Sequence, residues 1–395
     1  MTELSRRGLV GYGAAGGVVA LGAAGLFAAS RQSAEPTTGG SPRRTYSPHG
    51  LHQAGIDTPA PAVTTVVAYD LKPSTDVAAL ARLMRAWSSD IDALMAGRGG
   101  LGDPTKEISS AGMSLSVTVG FGPRIFTLPG LAAKRPEGFL DIPALRTDKL
   151  LDRWSGGDLV VMVAADEETS VAHAERVLTR DAASFASVRW RQTGFWRGVD
   201  ASGAPVTGRN LFGQVDGTGN PSGETLDRAV WVDDDTWMRG GTTMMLRRFQ
   251  LNLDVWDTLT RERQEKVVGR NLVNGAPLNG TAERDVMDLN AKDADGQLVI
   301  AANAHSRLAH PDTNSGRRML RRGLNYVHDE GGVRTSGLMF IAFVRSIAGQ
   351  LTPVLQRLDT SDALNEWTTP IGSSVWAFPG GFPKDGWLAQ GLFEG

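Results

Sequence analysis

The chain has no cysteine. Disulfide frameworks, thiolate-ligated haem, thioether-attached haem and cysteine-bound iron–sulfur clusters are thereby excluded together. Any metal chemistry must rest on imidazole and carboxylate ligands. Histidine is scarce too, with six in 395 residues: His49, His52, His173, His305, His310 and His328. Strong charge of one sign is also missing. The formal net charge is −2, and the short clusters Arg317–Arg318 and Arg321–Arg322 are the nearest approach to a basic patch. A nucleic-acid binder shows longer runs, so no nucleic-acid partner is expected.

What is present can bury a core: 41% of the residues are hydrophobic, and the length suggests two or three domain-sized units. Ser5-Arg6-Arg7-Gly8-Leu9-Val10 opens the chain, before an uncharged stretch rich in Gly and Ala that runs to Ser30. Paired arginines ahead of a weakly apolar segment read as a twin-arginine export signal over residues 1–34. Small residues around Ala28 to Ser30 and at Ser33-Ala34 offer cleavage sites. A membrane anchor is the alternative, since about 20 residues span a bilayer. Seven glycines between Gly8 and Ser30 make that span a poor one. No cysteine follows, which excludes a lipoprotein anchor. The expected partner during export is the twin-arginine translocase, and the expected location is extracellular, periplasmic or at the cell surface. Because that route carries folded proteins, a cofactor inserted before export is in keeping with it. Residues 35–48 are rich in Ser, Thr, Gly and Pro and read as a flexible linker.

Beyond the linker, strand-like and helix-like segments alternate. Residues 62–71 (AVTTVVAYDL) are β-branched and strand-like. Residues 74–97 place Val77, Leu80, Leu83, Met84, Trp87, Ile91 and Leu94 at helical spacing, with Ser74 and Asp76 as candidate caps. Strands follow at 114–121 and 158–164, a helix at 173–186 and a strand at 188–196. That β-α-β-β-α-β order is the ferredoxin-like plan. The second half repeats it in outline: strand 242–252, helix 255–271, strand 338–344, helix 351–358 and strand 374–378. The expected fold is α+β, with two ferredoxin-like units, 49–208 and 209–395, packed as a single dimeric-barrel-like body.

Two segments stand out chemically. Gly213-Gln214-Val215-Asp216-Gly217-Thr218-Gly219-Asn220 flanks an aspartate with glycines, which permits close backbone approach to a ligand. Its plain reading is a turn whose aspartate caps its own backbone. The second runs His305-Ser306-Arg307-Leu308-Ala309-His310-Pro311 and on to Leu320-Arg321-Arg322-Gly323. Its plain reading is a solvated surface segment. The histidine spacing differs from that of a zinc protease helix, and no glutamate follows His305.

Taken with two further stretches, these segments resemble the dye-decolorising peroxidase family, in the branch that includes bacterial deferrochelatases. His49-Gly50-Leu51-His52-Gln53-Ala54-Gly55-Ile56 with Thr58-Pro59 is similar to the family's start. Asn210-Leu211-Phe212 leading into the glycine loop matches its Gly-x-x-Asp-Gly motif, extended by Asn220. Ala304-His305-Ser306-Arg307 matches its haem-ligand block, with Ser306 at an often aliphatic position. Phe378-Pro379-Gly380-Gly381 is similar to its closing strand and loop. The resemblance covers roughly residues 49 to 394.

That resemblance implies haem b as cofactor, with hydrogen peroxide and organic electron donors as substrates and room for a homo-oligomer. It makes His305 the proximal iron ligand, bound through a neutral imidazole nitrogen, with His310 the rival. The other ring nitrogen needs an acceptor, and Asp288 and Asp312 are the candidates near in sequence. Asp216 is implied as the proton shuttle between the peroxide oxygens, and Arg321 as the fixed charge where the leaving hydroxide develops. Asn220 is assigned to distal water or peroxide, and Arg307 to a haem propionate. Leu338 and Phe340 are assigned to the distal wall, with Gly217 giving close backbone approach. Tyr326 is the best-placed aromatic relay for bulky donors, whereas Trp87 and Trp256 read as core. The competing functions are deferrochelatase activity, removing iron from intact porphyrin, and haem carriage without turnover.

Overall fold

The computed structural model describes residues 44–109 and 114–394. The expected signal and residues 35–43 of the expected linker lie outside the described residues. Residues 44–48 are not free linker. Ser114 N donates to the Arg44 carbonyl, and Tyr46 packs partly buried against the core.

Strand β1 (Val63–Leu71) has eight of its nine residues buried, which is why it reads as an almost unbroken apolar run. Val67, Tyr69 and Leu71 face the helices, while Val66 and Ala68 face a second core on the opposite side of the sheet. Helix α1 (Val77–Met95) is capped by Asp76, whose side chain accepts from Ala79 N at 2.7 Å. Strands β2 (Ser116–Phe121) and β3 (Leu159–Ala165) follow, then helix α2 (Glu168–Ala182) and β4 (Ala186–Phe195). Helix α2 starts before the expected residue 173 because Glu167 caps it, accepting from Thr169 N and Ser170 N. Its polar first turn carries no apolar periodicity.

The second half begins with β5 (Thr242–Leu251). The helix expected at 255–271 is broken. One turn covers Leu253–Trp256, and α3 (Arg261–Val268) starts afresh with Thr260 Oγ1 accepting from Arg263 N. Gly269, in the left-handed conformation at φ 86°, ends it. A one-turn helix α4 (His305–Leu308) precedes the short β6 (Leu320–Arg321). Strands β7 (Leu324–Glu330) and β8 (Val333–Val344) then form a hairpin. Gly331 and Gly332, both at positive φ, supply its two-residue turn. Helix α5 (Thr352–Ser361) and β9 (Thr368–Phe378) complete the half.

The first half-sheet has the order β2-β3-β1-β4 and the second β9-β5-β8-β7, each the ferredoxin-like arrangement and antiparallel throughout. They join at two narrow seams, Phe121 opposite Ala377 and Phe195 opposite Asn325. With β5 paired to both β8 and β9, the sheet closes on itself. The two expected ferredoxin-like units are thus present and share one closed sheet. Its interior is filled from both halves by Val66, Val160 and Met162 and by Met244, Leu246 and Ile341. Among the described residues, no helix is long and apolar enough to cross a membrane.

Candidate active site

On β5, alternation sends Arg248 into the closed sheet, while Arg247, Phe249 and Leu251 face the helices. Register places Phe340 opposite Arg247 and Leu338 opposite Phe249 on the neighbouring strand β8. These side chains form the sheet wall of a cavity whose other walls are α4, α5 and the glycine loop. Val354, Leu355 and Leu358 make the helix wall apolar.

His305 enters this cavity from the first position of α4. Its Nδ1 donates to Asp362 Oδ2 at 2.6 Å, and the Asp362 side chain is only 4% exposed. The second oxygen of Asp362 accepts from Leu364 N at 2.9 Å, so the carboxylate is fixed in place. Neither Asp288 nor Asp312 plays this part. Asp288 accepts from Asn290 N within its own turn, and Asp312 is an exposed residue beside His310. The imidazole lines the cavity, and 38% of its side chain is open. Burial opposes protonation of the ring, but the Asp362 carboxylate and the more distant Asp216 outweigh burial and the opposing Arg321. The ring pKa therefore sits above its ordinary value. With Nδ1 committed to Asp362, Nε2 is the nitrogen left for a ligand bond.

Asp216 lies in the glycine loop, where Gly213 and Gly217 adopt φ of 81° and 126°. Its backbone N donates to the Gly208 carbonyl at 2.9 Å. Arg209 pins the loop by donating to the carbonyls of Gly213, Leu272 and Val273. Arg321 Nη2 stands 3.7 Å from Asp216 Oδ1, and both residues line the same cavity as His305. Gly217 also lines the cavity.

Asn220 is used differently from the expectation. Its Nδ2 donates to the Arg321 carbonyl at 2.8 Å and its Oδ1 accepts from Arg321 N at 3.0 Å. The amide thus clamps the backbone of β6, and Asn220 is not on the wall of this cavity. Arg307 also departs from its expected role. Its Nη1 donates to the carbonyls of Leu289 and Ile300, which holds the preceding loop and turns the guanidinium away from the cavity. The cations on the wall are instead Arg247, Arg270, Arg317, Arg318 and Arg321. His310 sits among them. Its Nδ1 accepts from Asp312 N, and burial with the charges of Arg318 and Arg270 pulls its pKa down. The signal that could have found Arg270 is its position straight after the helix-ending Gly269, which aims it back at the loop.

Tyr326 is fully buried inside the closed sheet, its hydroxyl donating to the Phe249 carbonyl at 3.0 Å. The Arg248 guanidinium lies 4.2 Å from its ring and 3.6 Å from the ring of Trp154.

Comparison with known proteins fits this geometry. Residues 53–196 match the Dyp-type peroxidase N-terminal domain and residues 207–382 the C-terminal domain. The chain belongs to the Dyp-type peroxidase family. It is 37% identical over 366 residues to the dye-decolorizing peroxidase of Thermobifida fusca, covering 87% of this chain and 84% of that one. It is 31% identical to the deferrochelatase of Shigella sonnei, over 100% of this chain and 98% of the relative. Among solved structures, a DyP-type peroxidase from Cellulomonas bogoriensis superimposes with a TM-score of 0.86 at 44% identity, covering 90% of this chain and 100% of that one. Ferric DtpA from Streptomyces lividans superimposes with a TM-score of 0.86 at 37% identity, covering 91% and 99%. As a family member the peroxidase is a haem-dependent oxidoreductase that acts on peroxide and organic donors.

Proposed function

We propose that this peroxidase holds haem b in the cavity between the β5–β8 wall and α5, with His305 as iron ligand and Asp216 and Arg321 acting on hydrogen peroxide. One observation carries the reading: a single cavity brings together a histidine whose Nδ1 is tied to a buried aspartate and an aspartate–arginine pair from a distant segment. The residues present suit the group. Nε2 of His305 is uncommitted, Leu338, Phe340 and Leu355 offer apolar contact to a porphyrin face, and the wall cations Arg270 and Arg318 suit its propionates. The absence of cysteine excludes thioether attachment of the cofactor. Bound there, haem supplies an iron that accepts oxidising equivalents from peroxide and passes them to organic donors singly.

The chain's own residues do the rest. Asp362 keeps His305 in one tautomer and raises its basicity. Asp216 takes a proton from the near oxygen of peroxide and returns it to the far one, which leaves as water. Arg321 presents fixed positive charge 3.7 Å from Asp216, where negative charge develops on the departing oxygen. An arginine stays charged through this step. Asn220, by holding both sides of the Arg321 peptide, fixes where that charge sits. The export reading of residues 1–34 belongs to the same proposal and places the mature enzyme outside the cytoplasm.

Mixing the haem-loaded protein with one equivalent of peroxide, then an anthraquinone dye, tests the assignment. A rapid Soret change reversed by the dye is expected. An unchanged Soret band points to haem carriage, and released iron with intact porphyrin points to the deferrochelatase reading. For the ligand, His305→Ala loses haem on gel filtration, whereas retained haem moves the ligand to His310.

A further inference from the structure

A second cavity, of about 330 Å³, lies at the open end of the closed sheet and meets the haem cavity only at Asp216, Gly217 and Arg321. It opens at an exposed rim formed by Asp57, Pro59 and Val206, and it runs inward between residues of both halves, including Met162, Trp196 and Ile341. Apart from Asp216, Arg321 and Asn220, which border it, its lining residues have no part in the peroxide assignment.

Its chemistry is that of a small-ligand site. Trp196, Pro61, Pro205, Met162 and Ile341 give flat and apolar surface, and a cavity of about 150 Å³ already accommodates benzene in other proteins. Two polar groups inside lack what they need. Thr58 Oγ1 is buried with no hydrogen-bond partner. Arg322 extends into the cavity with Nη1 donating to the carbonyls of Ile56 and Thr58. Burial pushes its pKa down to about 10, because Asp57, the chief charge acting in its favour, stands at the exposed rim. A half-buried cation whose direct hydrogen bonds go to carbonyls favours an anionic oxygen beside it.

We propose that this second cavity is a docking site for small aromatic carboxylates, with Arg322 and Thr58 Oγ1 receiving the carboxylate and the ring packing between Trp196 and the prolines. The site places a donor of the phenolic-acid class against Asp216 and Arg321 from the side remote from the haem cavity. Its use in turnover rests on the peroxidase assignment, but its occupancy does not, so the two fail separately.

Calorimetric titration of benzoate into the haem-loaded protein tests the site without turnover. Saturable binding is expected in the wild type, and the neutral isostere benzyl alcohol binds about tenfold more weakly or worse. Arg322→Gln raises the benzoate Kd by about tenfold or more, and Arg322→Lys recovers part of it. Val206→Trp, on the exposed rim, also weakens binding and guards against misfolding of the Arg322 variants. Cyanide association with the iron, followed at the Soret band, stays within about twofold of wild type in Arg322→Gln, since the haem cavity is intact. Absent binding in the wild type, or Kd values in Arg322→Gln and Val206→Trp that both equal that of the wild type, overturns the proposal. So does a benzoate-induced Soret shift that Arg322→Gln leaves intact, because that puts the anion in the haem cavity. A slowed cyanide reaction with unchanged benzoate binding makes the cavity a passage for peroxide instead.

Discussion

Replacing Asp362 by asparagine is expected to raise the reduction potential of the bound haem. The Nδ1 contact is short at 2.6 Å, and the carboxylate is 4% exposed, so water does little to screen it. A carboxylate at that distance draws the Nδ1 proton and makes the imidazole a stronger donor, which stabilises the ferric iron. Asparagine keeps the shape and can still accept from Leu364 N, so the turn after α5 survives. What is lost is the charge. A hydrogen bond to a charged group contributes about 1.5–3 kcal/mol. For a one-electron couple about 59 mV corresponds to a tenfold change, so the full loss is about 60–130 mV. Because asparagine keeps a neutral acceptor, the lower end of that range, about 60 mV, is expected. Spectroelectrochemical titration of the two haem-loaded proteins at one pH reads the difference directly. A shift below about 20 mV, with equal haem content, refutes the reasoning that Asp362 acts through His305.

Other consequences follow from individual contacts. Asn220→Ala removes both hydrogen bonds that fix the Arg321 peptide, so the peroxide reaction slows by about 10- to 100-fold with haem content unchanged; normal kinetics with lost haem contradict this. Arg307→Ala lowers thermal stability through the Leu289 and Ile300 carbonyls but leaves haem affinity within about twofold, measured by transfer to apomyoglobin. Far from the haem cavity, burial and the neighbouring Asp90 push the Asp181 carboxyl up to about 7. The folded state then holds that proton more tightly than the unfolded chain. Its stabilising effect is complete below pH about 4 and is lost as pH rises toward 7, at no more than about 1.4 kcal/mol per pH unit. Asp181→Asn therefore flattens the Tm profile over that interval and is the more stable protein at pH 8; parallel profiles contradict the pairing.

How much of this was legible in the sequence depends on the reach of each interaction. The apolar spacing of Leu80, Leu83, Met84, Trp87 and Ile91 announces α1, and all five are buried. Strand β7 was not legible, because Asn325, His328 and Asp329 interrupt any simple alternation and only pairing with β8 makes the segment a strand. The helix expected at 255–271 failed at Thr260, which caps a new helix instead of continuing the old one. The motif glycines and His305 could be singled out locally, but Asp362 is 57 residues further along the chain. It reaches His305 only because α5 folds back over α4, so a search among neighbours in sequence offered Asp288 and Asp312. Asn220 and Arg307 do not line the cavity, because their side chains serve backbone groups that spacing does not reveal.

The central claim is that Arg321 and Asp216 act together on peroxide beside a histidine-ligated haem. Stopped-flow measurement of the second-order rate constant for hydrogen peroxide in haem-loaded Arg321→Leu tests it most directly. Removing a preorganised charge from the site of developing negative charge costs about 100- to 1000-fold in rate, and that loss is predicted with the Soret band of the resting enzyme retained. A rate constant equal to that of the wild type contradicts the account.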